Sequence, residues 1–154
     1  MTHTDSPRSL AVRLADAAGD GAHEYVADVL AMLAAPGSAR LPAVVAHELI
    51  ELCARRFSEH RVAADPEIAY GFAVENERAE PVDVDTLPPG PRAALRALVA
   101  TLNDDDSGRE IQLDLATRGS PKEIVTVLVH CLVWTIELSA VSAARPPQLS
   151  CYPG

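Results

Sequence analysis

Residues 120–138 read SPKEIVTVLVHCLVWTIEL, and this stretch of sequence decides the fold. It opens like a helix start, with Ser120 as a capping serine, Pro121 at the first helical position and Glu123 at the third. The residues after Glu123 are apolar on nearly every side of a helix, which is typical of a helix buried in the centre of a protein. The sequence therefore predicts a central core helix over about residues 121–143.

The same stretch is not a predicted membrane span. Crossing a bilayer takes roughly 20 consecutive apolar residues, whereas His130 and Glu137 interrupt the apolar run of this helix. The formal net charge of the chain is −9, which repels phosphate backbones and anionic lipid surfaces. We therefore expect neither a membrane nor a nucleic acid as a partner.

Apolar residues also recur at helical spacing in the segments before residue 120. The helices predicted there start after the Ser6-Pro7 cap, after an Asp20 cap, near Leu41 (ending near His60), at Pro91 (ending near Leu102), and after Ser107, which has capping-box spacing with Glu110. The alternation of Ile111, Leu113 and Leu115 leaves a strand open as an alternative for the last of these. The predicted fold is an all-α, single-domain bundle of five to six helices around the buried C-terminal helix.

Residues 65–90 fit no single pattern. Ile68, Tyr70, Phe72 and Val74 alternate with small residues, which is the period of a strand. A lone strand has no obvious pairing partner, so we favour a short helix or an irregular segment.

The length of 154 residues fits one domain. We expect a flexible N-terminus over residues 1–6, a single helical domain over residues 7–144 and a Pro-rich C-terminal tail over residues 145–154. Apolar residues make up 48% of the chain and aromatic residues only 4%, so the core must consist of leucine, valine, isoleucine and alanine.

The three cysteines do not form a disulfide framework, since their number is odd and their spacing wide. Cys53 and Cys131 lie in apolar stretches and are predicted to be buried, whereas Cys151 in the Pro-rich tail is predicted to be an exposed thiol. No apolar segment typical of a secretion signal follows Met1 to Pro7, which indicates a cytoplasmic protein. Arginine supplies nearly all the basic residues, a codon bias typical of high-GC bacteria.

One candidate site is a metal centre. His47 and Glu51 are four residues apart and share a helix face, and His130 on the central helix could complete a set of nitrogen and oxygen ligands. The pattern lacks the His-Glu-x-x-His spacing of zinc enzymes. The alternative is that His47 and Glu51 belong to a solvated face and that His130 is a core histidine bonded to a backbone carbonyl.

A second candidate is a calcium loop. Its oxygen ligands would be Asn103, Asp105, Ser107 and Asp114, at positions 1, 3, 5 and 12 of a degenerate EF-hand loop. Position 12 carries a shorter side chain than the usual glutamate, and the chain has no second loop. An acidic turn followed by a capping box explains the same residues.

A third candidate is a small-molecule pocket beside the central helix. Thr126, His130, Trp134 and Glu137 would line it, because they follow one another at about one helical turn. The alternative is that Trp134 is a core residue and that the Thr126 hydroxyl bonds to the preceding turn.

No nucleophile elbow, phosphate-binding loop or dinucleotide-binding glycine motif occurs in the sequence. We therefore expect a non-enzymatic helical interaction or regulatory protein without a cofactor, acting through a protein partner or by self-association as a homodimer. Excess apolar arcs on the Leu41 and Pro91 helices are the expected contact surfaces. The acidic stretches over residues 75–85 and 104–106 are either docking surfaces for a basic partner or, as is more common for such runs, solvated loops. The alternatives are a small-molecule-binding domain and a metal-dependent enzyme that uses His and Glu ligands.

Overall fold

The computed structural model describes residues 6–38, 40–60, 73–139 and 148–151. Six α-helices and two short strands occur in this part of the chain: α1 (Pro7–Gly19), α2 (His23–Ala34), α3 (Leu41–His60), β1 (Ala73–Glu75), α4 (Pro89–Leu102), α5 (Asp106–Ala116), α6 (Pro121–Ser139) and β2 (Gln148–Ser150). A single turn of 3₁₀ helix covers Val84–Thr86. The predicted all-α bundle is confirmed. The predictions for residues 1–5, 61–72, 140–147 and 152–154 lie outside the described residues.

Helix α6 occupies the position that its all-round apolar sequence predicts. It packs against α1, α2, α3 and α4, and the described helices share one continuous core cluster. The buried residues of α6 are Val127, Leu128, His130, Cys131, Leu132, Trp134, Thr135 and Leu138. A helix surrounded by other helices buries several faces, which is why its sequence shows no polar side.

Two of the predicted helix starts are confirmed. The Ser6 side chain accepts a hydrogen bond from the Ser9 backbone N–H. The Ser120 hydroxyl accepts a bond from the Glu123 N–H at 3.3 Å, while Glu123 Oε1 lies 3.4 Å from the Ser120 N–H, the reciprocal pair of a capping box.

Two further predicted starts, at Asp20 and at Ser107, are displaced. Asp20 follows α1 and does not cap α2, whose N-cap residue is Ala22 without a side-chain bond. Helix α5 is capped by Asp105, which accepts a bond from the Gly108 N–H, so the predicted Ser107 capping box is wrong. Aspartate is as good a cap as serine, and with Asp105 as the cap the helix begins two residues earlier than a Ser107 cap would place it.

Part of the alternating pattern, around Val74, forms a strand. Residues 73–75 form β1, so the preference for a helix or irregular segment is wrong at these positions. The partner that the sequence did not reveal is β2, which pairs in parallel with Val74 opposite Leu149 and Glu75 opposite Ser150. Because the two segments are far apart in the sequence, no local pattern indicates their pairing.

The C-terminal segment also changes the interpretation of Cys151. This residue is 1% exposed, so the prediction of an exposed thiol is wrong. Leu149 is completely buried beside it. Within the described residues, none of the helices has the length and apolar character that a membrane span requires.

Candidate functional site

Helix α5 is held to α3 by a cluster of charged side chains. Arg109 on α5 is nearly buried, and its Nη1 atom lies 2.9 Å from Glu51 Oε1 on α3. The same guanidinium lies 3.3 Å from Asp106 Oδ1 and 3.5 Å from Glu110 Oε1. Its Nε atom is buried without a hydrogen bond of good geometry. The cluster is a tertiary contact built around one cation.

His47 is part of the same cluster. Its Nδ1 lies 3.2 Å from Glu110 Oε1, and its Nε2 lies 3.7 Å from Glu51 Oε1. The sequence predicted the shared helix face of His47 and Glu51 but not their neighbours on α5. Because Glu51 already faces the Arg109 guanidinium, the structure places these side chains in an ionic contact between helices.

His130 does not join them. It is buried in α6, and its Nδ1 lies 2.7 Å from the Thr126 carbonyl oxygen, as expected for a core histidine. No group of three or more His, Cys, Asp or Glu side chains among the described residues is placed to hold a metal ion. His47, Glu51 and His130 are all described, so the predicted ligand set does not come together.

The predicted calcium loop is replaced by helix. Only residues 103–105 separate α4 from α5, and residues 106–116 are helical. Asp105 caps the helix, and Asp114 forms an ion pair with Arg118 one turn further on. Helical backbone cannot wrap an ion as an EF-hand loop does, because the ligand positions then point in different directions around the axis. Asn103, Asp105, Ser107 and Asp114 therefore form no such loop.

Two of the four predicted pocket residues, Thr126 and His130, form hydrogen bonds to backbone carbonyls of α6 itself. The Thr126 hydroxyl donates to the Lys122 carbonyl at 3.0 Å, one turn earlier. His130 packs edge-to-face on Trp134, with ring centroids 5.9 Å apart. Both arrangements match the alternative that this face of α6 belongs to the core.

The other two pocket residues bind the chain's own C-terminal strand. Trp134 Nε1 donates to the Ser150 carbonyl oxygen at 2.8 Å. Glu137 Oε1 accepts from the Ser150 N–H at 2.8 Å, and Glu137 Oε2 accepts from the Ser150 hydroxyl at 2.7 Å. Trp134 and Glu137 are thus hydrogen-bonded to β2 of the same chain.

The buried thiols are not nucleophiles in the folded protein. Burial raises the pKa of the Cys53 thiol to about 11 and that of Cys131 well above its usual range. Burial and the Glu137 carboxylate raise the pKa of Cys151 to about 12. The Thr135 hydroxyl donates to the Cys131 carbonyl and is left as an acceptor for the Cys53 thiol, 3.2 Å away. A thiolate is the reactive form, so all three thiols are inert near neutral pH.

The outer face of α5 exposes apolar side chains. Ile111 is 60% exposed and Leu115 is 50% exposed. The two are four residues apart and lie side by side, opposite the face that buries Leu113 and Ala116 in the core. Exposed single apolar residues are ordinary, but a neighbouring pair on a short acidic helix is a candidate contact surface.

A cleft of about 190 Å³ lies between α3 and α5, next to this face. Its lining consists of Arg40, Ala43, Val44, His47, Glu48, Glu110, Leu113 and Asp114. Around the axis of α5, Glu110 and Asp114 lie between the cleft and the side chains of Ile111 and Leu115. We call the cleft, these two carboxylates and the Ile111–Leu115 pair the α5 surface.

A wider depression of about 600 Å³ lies beside the end of α6. It is lined by Ala15, Asp16, Gly19, Asp20, Arg56, Ile136 and Ser139. None of the four residues predicted to line a small-molecule pocket belongs to it. The Arg56 guanidinium there donates to the Thr135 carbonyl and to the Ser139 hydroxyl.

The sequence predicted contact surfaces on the Leu41 and Pro91 helices, but the largest apolar exposure near them lies on α5. The signal for this surface was the alternation of Ile111, Leu113 and Leu115, which on a helix sends the middle residue inward and the outer two to solvent. No known family model, characterised protein sequence or solved structure matches this chain. The function is therefore argued from the residues alone.

Proposed function

We propose that this chain is a non-enzymatic helical interaction protein of the cytoplasm. Its α5 surface binds a protein partner that carries an amphipathic segment with basic residues. The observation that supports this most directly is the exposure of Ile111 and Leu115, at 60% and 50%, beside the Glu110 and Asp114 carboxylates.

The apolar part of the surface would supply affinity. Burying one Leu or Ile side chain completely is worth about 1.5–3 kcal/mol, and both side chains start half exposed or more. The adjoining cleft has apolar walls at Val44 and Leu113 and fits one side chain of a partner. Anchoring residues that fill such clefts carry most of the energy of many interfaces.

The charged part would select the partner. Glu110, Asp114 and the acidic residues 104–106 lie along α5 or at its start, and the whole chain carries a net charge of −9. A second copy would bring the same carboxylates together, which costs energy unless they are neutralised. A basic partner is therefore favoured over a homodimer. The same charge disfavours nucleic acids and anionic membranes as partners.

The two alternatives are a small-molecule-binding domain and a metal-dependent enzyme. Trp134 and Glu137, which would line a ligand pocket, are hydrogen-bonded to Ser150 of the same chain. The His and Glu residues that would bind a metal are divided between an ionic cluster and the core. Neither alternative has an observation that favours it over the α5 surface.

Site-specific cross-linking tests the proposal. A photoreactive amino acid is introduced at position 111 and, as a control, at position 32 on α2, where Met32 is also half exposed. We expect one partner to be cross-linked from position 111 in the host cell and not from position 32. That partner is then purified and its dissociation constant for the unmodified chain is measured.

Charge-matched variants decide whether the apolar pair is responsible. The double change Ile111→Asp and Leu115→Asp makes the surface more acidic, so a purely electrostatic complex with a basic partner would tighten. We expect binding to weaken at least tenfold instead (roughly 1.4 kcal/mol or more). The control, Tyr25→Asp and Met32→Asp on α2, adds the same charge and should not weaken binding. Unchanged affinity in the first variant, or a captured protein that is the chain itself, would refute the proposal.

A further inference from the structure

The residue of β2 with the most side-chain hydrogen bonds to α6 is Ser150. Every polar group of Ser150 has a partner on α6: the N–H and the hydroxyl donate to the two oxygens of Glu137, and the carbonyl oxygen accepts from Trp134 Nε1. Hydrogen bonds to a charged acceptor are stronger than those between neutral groups. A strand held in a sheet by backbone pairing alone would not need such side chains.

The neighbouring residues add backbone pairing and apolar burial. The Cys151 N–H donates to the Glu75 carbonyl at 2.8 Å, and Leu149 lies opposite Val74 in parallel register. Leu149 is fully buried and Cys151 is 1% exposed. This combination of an added strand, an apolar pocket and side-chain hydrogen bonds is how many domains bind extended peptides.

The groove that holds β2 has two walls. One wall is α6, which packs against four other helices, and the other is β1. The second edge of β1 is held by the loop that follows it, since the Val82 N–H donates to the Val74 carbonyl at 2.9 Å. The strongest contacts of β2 are with α6 and β1. Because α6 also packs against α1, α2, α3 and α4, we expect the helices to stay packed when β2 leaves and one strand edge to open.

We infer that the groove between α6 and β1 is a binding site for an extended peptide segment. Residues 148–151 occupy it in cis, and the same segment of a second copy occupies it when the chain's own segment leaves. The groove selects a buried leucine followed by a serine, through the apolar pocket for Leu149 and the Glu137–Trp134 pair for Ser150. This site is separate from the α5 surface and does not rest on the proposed function.

The first test uses the unmodified full chain and follows its three thiols. Cys151 lies in the segment that opens, whereas Cys53 and Cys131 lie in the helical core. We expect alkylation under native conditions, followed by mass spectrometry, to label Cys151 at least roughly tenfold faster than the other two, because local opening needs less free energy than global unfolding. Ser150→Ala should accelerate the labelling of Cys151 and leave that of Cys53 unchanged. Equal rates for all three thiols would overturn the inference.

The second test supplies the segment in trans. Leu149→Asp in the full chain places a charge in a fully buried position and should release the segment while the circular dichroism of the helices persists. A synthetic peptide of residues 145–154 is then titrated, with the fluorescence of Trp134, the single tryptophan of the chain, as the signal.

We expect a saturable change with the natural peptide and binding roughly tenfold or more weaker with a peptide carrying Ser150→Ala. The unmodified full chain, whose groove is filled, should respond far less. If the Leu149→Asp chain loses its helical signal, or keeps it but binds no peptide, the segment is an inseparable part of the core and the inference is overturned.

Discussion

Single polar residues on α6 show how a buried helix satisfies its few polar groups. His130 and Thr126 bond to backbone carbonyls one turn earlier, while Glu137 and Trp134 bond to Ser150 in β2, the next strand along the chain. Burying a polar group costs free energy unless it is hydrogen-bonded. Each of these side chains therefore stabilises the packing of α6, whether or not it has a further role.

Burial of the Cys53 thiol should make the free energy of unfolding depend on pH in the alkaline range. Its pKa is raised from 9.0 to about 11 by burial, so above pH 9 the unfolded chain loses this proton while the folded chain keeps it. The thiol's contribution to stability is complete below pH 9 and is lost as the pH rises towards 11. Between pH 8 and pH 10 this one group should lower the free energy of unfolding by about 1 kcal/mol.

Urea denaturation of the unmodified chain and of Cys53→Ala at both pH values measures this contribution. The variant loses packing at every pH but not the titration, so its stability should fall less between pH 8 and pH 10. All other side chains are the same in the two proteins, so their contributions cancel in the comparison. Equal losses in the two proteins would show that Cys53 does not hold its proton in the folded state.

Helix α5 shows how an element with little apolar surface is fixed to its neighbours. Its buried residues are Leu113 and Ala116, its main packing partner is α4, and Arg109 adds an ion pair to Glu51 on α3. The guanidinium is 13% exposed, and a shielded ion pair is weakened less by solvent than one on the surface. The ionic cluster therefore positions the α5 surface relative to the cleft.

A double-mutant cycle measures this contact between α3 and α5. We expect Arg109→Met and Glu51→Gln to show a coupling of about 1 kcal/mol or more in the free energy of unfolding. The exposed pair of Asp114 on α5 and Arg118, which follows the end of the helix, is the control and should couple by about 0.3–0.5 kcal/mol. Similar couplings in the two cycles would mean that the cluster does not anchor the helix.

Considered as a whole molecule, the described helices share one core of small and aliphatic residues around α6. A chain with one continuous core unfolds as one unit, whereas separate domains unfold in steps. If residues 7–144 form a single domain, we therefore expect the chain to unfold in one cooperative transition.

Calorimetry tests it. We expect one thermal transition whose calorimetric enthalpy, on the order of 100 kcal/mol for a chain of this length, equals the van't Hoff enthalpy from helical circular dichroism. A calorimetric enthalpy well above the van't Hoff value, or two resolved transitions, would show that the chain contains independent parts.

The elements that could be predicted are those whose signals lie in adjacent residues. The capping residues Ser6 and Ser120, the 3.6-residue period of α3 and the all-round apolar character of α6 are properties of adjacent residues. The shared face of His47 and Glu51 followed for the same reason. The helical fold and its centre could therefore be predicted, as could two members of the charged cluster.

The contacts between these elements depend on the tertiary structure. The pairing of β1 with β2 and the contact of Glu51 with Arg109 join residues that are far apart in the sequence, and the hydrogen bonds of Ser150 to Glu137 join two different elements. Such pairings are set by how the helices pack, and neither partner carries a local pattern that names the other. For that reason the sequence indicated Trp134 and Glu137 as polar residues of interest on α6, but it did not indicate that their hydrogen-bonding partner is β2 of the same chain.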